Sequence, residues 1–412
     1  MSQQVGAGPL RGIRVLDFSS IVAGPTATFT LASLGAEVIK VERMDGGDDS
    51  RHMGPHCGLW SSAFVPLNRG KKSIAVDITK PAGRDVILKL SRECDVLIEN
   101  FRVGKMEKLG LGETAVRRES PEIIYLSLSA FGSSGPDSLK PGYEALVQGR
   151  SGIMSVTGSG PESAPIRAGV PVIDASTGLW AVIGVLAALV ERKNSGQGQS
   201  VKTSLLGSGV MLMGHNLVGQ QFSGSNPVPQ GSRYPSFGES GGSFSPYGAF
   251  ATADGWLMIG VSNDRIFRRL CLALDRPNWF DDPRFSTNIL RVNHRAEFGA
   301  LLQEVLRQKP TAHWDHVFDT HDVPVAPIQN ASQVLNDPQV NAMGQFDTIQ
   351  LPGSETQHVK IPRIPLELSK TPLGDLSSAP ALGQHGREIL NQVGYSQAEI
   401  NGLIENKICK LP

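Results

Sequence analysis

The chain has 412 residues, enough for two or three domains at about 150 residues each. Its 39 basic and 39 acidic side chains cancel, which removes the general field that draws a protein to nucleic acid or to an anionic membrane. A content of 40% hydrophobic and 19% charged residues excludes a disordered chain. The 46 glycines and 27 prolines are dispersed, so they signal many tight turns and not low complexity. Cys57, Cys94, Cys271 and Cys409 lie far apart, with neither a C-x-x-C nor a zinc-like spacing, and reduced thiols are expected. The first eight residues carry no basic or apolar leader, and the longest apolar run, Leu179 to Val190, is too short to cross a bilayer. A cytoplasmic protein without membrane contact is the expectation.

The first 130 residues alternate between strand-like and helix-like segments. Ile13 to Phe18 reads as a buried strand, and Gly24-Pro25 opens a helix that runs to Leu34 and stops at Gly35. Ala36 to Glu42 is a second strand, so the unit is βαβ with a right-handed crossover and parallel strands. The pattern repeats with strands at Ser73–Ile78, Asp95–Glu99 and Glu122–Ser129 and a helix at Pro81–Cys94. Such alternation predicts an α/β domain with a mostly parallel sheet. Gly169 to Ile173 reads as a strand leading to Asp174, followed by an apolar helix from Leu179 that ends at Asn194-Ser195-Gly196. A strand is expected at Gln199–Leu205 and a helix at Ser208–Phe222. Residues 223–247 turn rich in Gly, Ser and Pro, and a hairpin around Ala253-Asp254 and three helices follow. Two more strands and two short helices close the chain. The expected division is 1–225 for a large α/β domain, 226–330 for a small α+β domain, and 331–412 for a linker and return to the large domain.

Three places can carry chemistry. The turn Ser19–Pro25 feeds a helix amino end, where α/β sheets bind phosphate groups, although an ordinary tight turn would look the same. Arg43, Asn68–Lys72, Asn100–Arg102, Lys105 and Lys108 sit where strands begin or end, and could converge on one anionic ligand or be scattered solvated charges. Asp174 precedes a long helix. An Asp there often caps the helix, and Ser176 or Thr177 could do so equally well; the alternative is a carboxylate nucleophile supported by the helix dipole. The nine histidines are scattered, and no metal-ligand set, P-loop or G-x-S-x-G elbow is present. A nicotinamide oxidoreductase would need the G-x-G-x-x-G fingerprint, which is missing.

Taken together, the stretches IRVLDFSSIVAGP (13–25), GAEVIKVER (35–43), RGKKSIAVDI (69–78), VLIENF (96–101), VPVIDASTG (170–178) and LGQHG (382–386) resemble the class III CoA-transferases. That family includes formyl-CoA transferase, carnitine and bile-acid CoA-transferases (the CaiB/BaiF type) and α-methylacyl-CoA racemase. The resemblance implies a large Rossmann-like parallel-sheet domain plus a small α+β domain, in an interlocked ring-like dimer. A homodimer is expected, with a heteromer of homologous subunits as the other form. It implies that Asp174 is the nucleophile, forming aspartyl anhydride and aspartyl-CoA intermediates. Val22 and Ala23 would lie by the pantetheine. Arg43, Val76 to Thr79, Asn100, Phe101, Arg102 and Lys108 would lie along the nucleotide, and Tyr143 and Glu144 near the thioester. Gly241 and Gly242 match a mobile lid, and Arg233, Arg51 or Arg167 would hold a distal carboxylate. Substrates would be an acyl-CoA such as succinyl-CoA and a carboxylic, chiefly dicarboxylic, acid, with no metal, nicotinamide or flavin. Racemases of the family carry a His–Asp-like pair where this chain has Tyr143-Glu144. Racemisation needs two acid/base groups flanking the α-carbon, so that activity is disfavoured.

Overall fold

A computed structural model describes residues 8–237, 244–353 and 358–411. The chain divides into two units. The first comprises residues 1–151, 169–211 and 341–412, and the second 152–168 and 212–340. The second unit therefore takes residues 152–168 and 212–225, expected with the large domain, and residues 331–340, expected in the linker. The Gly231 amide donates to the Gly158 carbonyl, a backbone pairing that leaves no apolar periodicity to read.

The first unit is built on one seven-stranded sheet. Its strands are β1 (Arg14–Asp17), β2 (Glu37–Glu42), β3 (Lys72–Val76), β4 (Val96–Glu99), β5 (Ile124–Ser129), β6 (Ser200–Ser204) and β7 (Cys409–Lys410). Their order across the sheet is β7-β3-β2-β1-β4-β5-β6. All neighbours are parallel except β7, which runs antiparallel to β3 and lets the C-terminus close the edge. Val15-Leu16, Val38-Ile39 and Val96-Leu97-Ile98 of the central strands are fully buried because both faces are covered. Strand order reverses between β1 and β4, and the crevice at such a switch is where open α/β sheets take ligands.

The helix α1 (Ala23–Ser33) follows β1 and is buried at every residue but Thr26. It ends as the sequence predicts, with Gly35 in the left-handed region at φ 101°. Covering this side is α2 (Val172–Ser195), whose Gly178 lies so close to α1 that a Cβ would meet the Ala23 carbonyl oxygen at 2.7 Å and Thr26 Cβ at 2.8 Å. The predicted strand at Gly169–Ile173 is not formed. Val172 and Ile173 already belong to α2, with Pro171 at its N-cap. Asp174 thus lies in the first helical turn and caps nothing. Among the described helices α2 is the one whose length and composition would suit a membrane span, and half of its most apolar window is buried inside the chain. The predicted helix at 208–222 is two helices, Leu205–Leu212 and Gly214–Ser223.

The second unit has its own core. The strands Tyr247–Ala251, Trp256–Gly260 and Val325–Pro327 form an antiparallel sheet, packed on helices Asp264–Ala273, Arg295–Leu306 and Thr311–Thr320. Phe298 is at its centre, edge-on to Phe267, Trp279 and Phe285.

Candidate active site

Asp174 is 9% exposed and points from the first turn of α2. Burial, and then the neighbouring Glu144 carboxylate, push its pKa up to about 7. Glu144 opens the helix Glu144–Ser151 and is held in place. Its Oε1 accepts from Gln148 Nε2 at 2.7 Å and from the Ile173 amide at 3.4 Å. The first turn of α2 is anchored by Thr177, whose hydroxyl donates to the Ile173 carbonyl at 2.7 Å and lies 2.7 Å from the Ser208 hydroxyl. The result is a carboxyl group that is poorly solvated, faces a second carboxylate and has a rigid backbone. Such a group is costly to ionise and loses that cost when its charge is consumed by bond formation.

One helical turn after Asp174, on the same face, Gly178 touches Ala23. This brings the β1–α1 turn beside Asp174. Val22 is half-buried at the N-cap of α1, and Ala23 is buried. Asn100 spans the switch point: its Oδ1 accepts from the Ser20 amide at 3.0 Å and its Nδ2 donates to the Ser20 carbonyl at 2.9 Å.

Next to this turn, at the carboxyl ends of β2, β3 and β4, is a cavity of about 370 Å³. Arg43, Val76, Thr79 and Phe101 line it, four of the positions expected along the nucleotide. Phe18, Ile78 and Leu109 complete an apolar wall. Phe18 and Leu109 were not singled out by sequence, because nothing but their place at a strand or helix end marks them. The basic rim differs from expectation. Lys105 lines the cavity, while Arg102 and Lys108 are exposed and do not. Arg43 is at the rim, ion-paired with Asp49 and donating to the Asp45 carbonyl at 2.9 Å.

Of the remaining positions, Tyr143 is largely exposed at 70%. Arg51 is a structural residue: both its Nε and Nη2 donate to Glu42 at 2.7 Å, and its guanidinium lies over the Phe64 ring. Arg167 is exposed. Arg233 belongs to the second unit, where it donates to the Gln230 carbonyl and side chain and lines a cavity of about 250 Å³ with Arg295. Gly241 and Gly242 lie outside the described residues. Among the described residues no group of three His, Cys, Asp or Glu is placed to hold a metal. Burial pushes the thiols of Cys94 and Cys271 up to about 12, and that of Cys409 up to about 11, so these are packing residues.

The family model for CoA-transferase family III matches residues 10–386. Human succinyl-CoA:glutarate CoA-transferase is 37% identical over 391 residues, which is 93% of this chain and 86% of the relative. Succinate–glutarate CoA-transferase of Agrobacterium fabrum is 36% identical, over 93% of this chain and 96% of that protein. Succinyl-CoA–D-citramalate CoA-transferase of Chloroflexus aurantiacus is 33% identical over the whole chain. The crystal structure of a CAIB/BAIF family protein from Brucella suis, 33% identical, matches with a TM-score of 0.84, covering 94% of this chain and 100% of that one.

Proposed function

We propose, on the premise that this chain belongs to CoA-transferase family III and is a CoA-transferase, that it moves CoA from succinyl-CoA or a similar acyl-CoA to a dicarboxylic acid through Asp174. The observation that carries the reading is the Asp174 carboxyl, 9% exposed, with a pKa near 7 and the Glu144 carboxylate beside it. The named activities of relatives that match nearly end to end support the acid class.

The inferred cycle balances without ATP, metal or redox cofactor. The ionised Asp174 attacks the thioester carbonyl. A C–O bond forms, the C–S bond breaks and CoA leaves as thiolate, giving a mixed anhydride. The thiolate then attacks the Asp174 carbonyl carbon and releases the donor acid with one Asp174 oxygen. The acceptor carboxylate attacks the resulting aspartyl thioester, expelling CoA thiolate again. That thiolate takes the acceptor acyl group and frees Asp174. Each covalent intermediate is uncharged at Asp174, so the burial and repulsion that oppose the ionised side chain are relieved as the bond forms.

The cavity with Arg43, Val76, Thr79, Phe101 and Lys105 suits the nucleotide end of CoA, with Arg102 and Lys108 as outer charges. Val22 and Ala23 suit the pantetheine arm. Tyr143 and Glu144 would be near the thioester. Gly241 and Gly242 are proposed as a lid that keeps water from the anhydride. Arg233 is the proposed holder of the acceptor's distal carboxylate, and an unchanged acceptor KM in Arg233→Ala would remove it. An interlocked dimer is proposed. On α2, Leu179, Trp180, Ile183 and Val190 are 42–63% exposed, an apolar face that a second copy would cover. A cytoplasmic setting is proposed on the balanced charge and the buried thiols.

The test offers the purified chain succinyl-CoA and a mixture of mono- and dicarboxylic acids, with mass spectrometry reading every acyl-CoA formed. New dicarboxylyl-CoA esters without ATP are expected. Exchange confined to monocarboxylic acids would overturn the acid class.

A further inference from the structure

We infer that Asp48, which touches no reacting atom, is a positioning residue for the Asp174 reaction: it holds Ile21 in a left-handed conformation and so fixes the turn from β1 into α1. The inference rests on the CoA-transfer reading above.

Ile21 has φ 71°. A β-branched side chain is among the least tolerant of that region, because its Cβ crowds the backbone carbonyl. Such a residue persists only where its surroundings over-determine it, and strain of this kind concentrates at functional sites. Here the surroundings can be named. The Ile21 amide donates to Asp48 Oδ1 at 3.1 Å. The same oxygen accepts from the Ser50 amide and hydroxyl at 2.9 and 2.8 Å, which lock the Asp48 rotamer. Asp48 Oδ2 is 2.8 Å from Lys40 Nζ, with both side chains 1% exposed. Lys40 Nζ in turn donates to the Ser19 carbonyl at 2.7 Å. One buried ion pair therefore grips the turn on both sides of Ser20, which Asn100 holds from the other strand. Burial alone would raise the Asp48 carboxyl, but the Lys40 charge and the bonds from the Ser50 and Ile21 amides hold it below its ordinary range.

What the turn controls follows from its neighbours. The residues after Ile21 are Val22 and Ala23, the start of α1, and Ala23 is the contact point for Gly178 of α2. A turn that relaxed from φ 71° would swing Val22 and Ala23 relative to Asp174. A shift of about 1 Å in the approach of the thioester to Asp174 costs on the order of a hundredfold in rate.

The experiment uses the full chain and four variants: Asp48→Ala, Asp48→Asn, Ile21→Gly, and Asp48→Ala with Ile21→Gly. Turnover with succinyl-CoA and glutarate, CoA affinity by calorimetry and Tm are measured for each. Asp48→Ala is expected to lose about ten- to a hundredfold in kcat, with CoA affinity within about threefold. Asp48→Asn keeps the Oδ1 acceptor for Ile21, so its kcat should stay within about threefold although its Tm falls, because Lys40 loses one of the carboxylates that face it and keeps Asp17 and Glu42. Ile21→Gly relieves the strain, so the double variant should recover most of the lost kcat without recovering Tm. If Asp48→Ala does not fold, Asp48→Leu with Lys40→Met replaces the buried pair by apolar groups of similar size and reads the same loss of kcat. The inference is overturned if kcat follows Tm across the set, if Asp48→Ala turns over normally, or if glycine at position 21 rescues nothing. A wild-type chain that transfers CoA while Asp174→Asn does so equally well would instead defeat the reading of Asp174.

Discussion

Replacing Asp174 by Asn should stabilise the protein above neutral pH and abolish transfer at the same time. In the folded chain the carboxyl has its pKa raised from 3.8 to about 7, chiefly by burial and then by Glu144. Between these two values the folded state binds one proton more than the unfolded state. Stability therefore falls as pH rises, by about 1.4 kcal/mol per pH unit, and levels off above pH 7. The full difference corresponds to about 4 kcal/mol against the ionised form. The amino end of α2 returns up to about 1 kcal/mol of that by favouring negative charge in its first turn. About 3 kcal/mol is left for Asp174→Asn at pH 8, shrinking to nothing below about pH 3, where both states are protonated. Urea titrations of wild type and variant at several pH values, at one fixed protomer concentration, measure this directly. Equal stability at pH 8, or a wild type more stable there, would refute the account of Asp174 as a group strained by its burial.

Other expectations follow from the same geometry. The rate with saturating substrates should rise with pH along an acid limb near 7, and Glu144→Gln should move that limb to lower pH, because it removes the charge that opposes ionisation of Asp174. Gly178→Ala should cost about 1–3 kcal/mol, read as a lower urea midpoint, because its Cβ has no room against Ala23 and Thr26. Phe101→Ala should raise the KM for acyl-CoA about tenfold with kcat nearly unchanged, since the side chain lines the cavity expected to hold the nucleotide end of CoA; a matching fall in kcat would contradict that role.

Much of the first unit is legible in sequence because local signals and tertiary packing agree. The run Val15-Leu16 has nowhere to go but a strand covered on both faces, and Gly35 is at the one position after α1 that needs a positive φ. Misreadings arise where one signal serves two structures. Val170-Pro171-Val172-Ile173 is β-branched and apolar, and a short apolar run cannot distinguish a strand from the start of a buried helix. Arg51 looks like Arg43 in sequence, yet Glu42 and Phe64 claim it for the core while Arg43 reaches the cavity rim. Lys40 and Asp48 are invisible as a pair, since eight positions and a glycine turn separate them along the chain and only the fold buries them together. The division between units is equally silent in sequence, because backbone pairing at Gly158 and Gly231 leaves no side-chain pattern.

The central claim is that Asp174 becomes covalently involved in every turnover. The most direct measurement gives the enzyme succinyl-CoA and an acceptor acid labelled with heavy oxygen in its carboxylates, then digests the protein and weighs the peptide that carries Asp174. The cycle predicts that one acceptor oxygen is left on Asp174 at the end of each turnover, so the label must accumulate on that peptide. Turnover with no label on Asp174, or with label on another carboxylate, would contradict it.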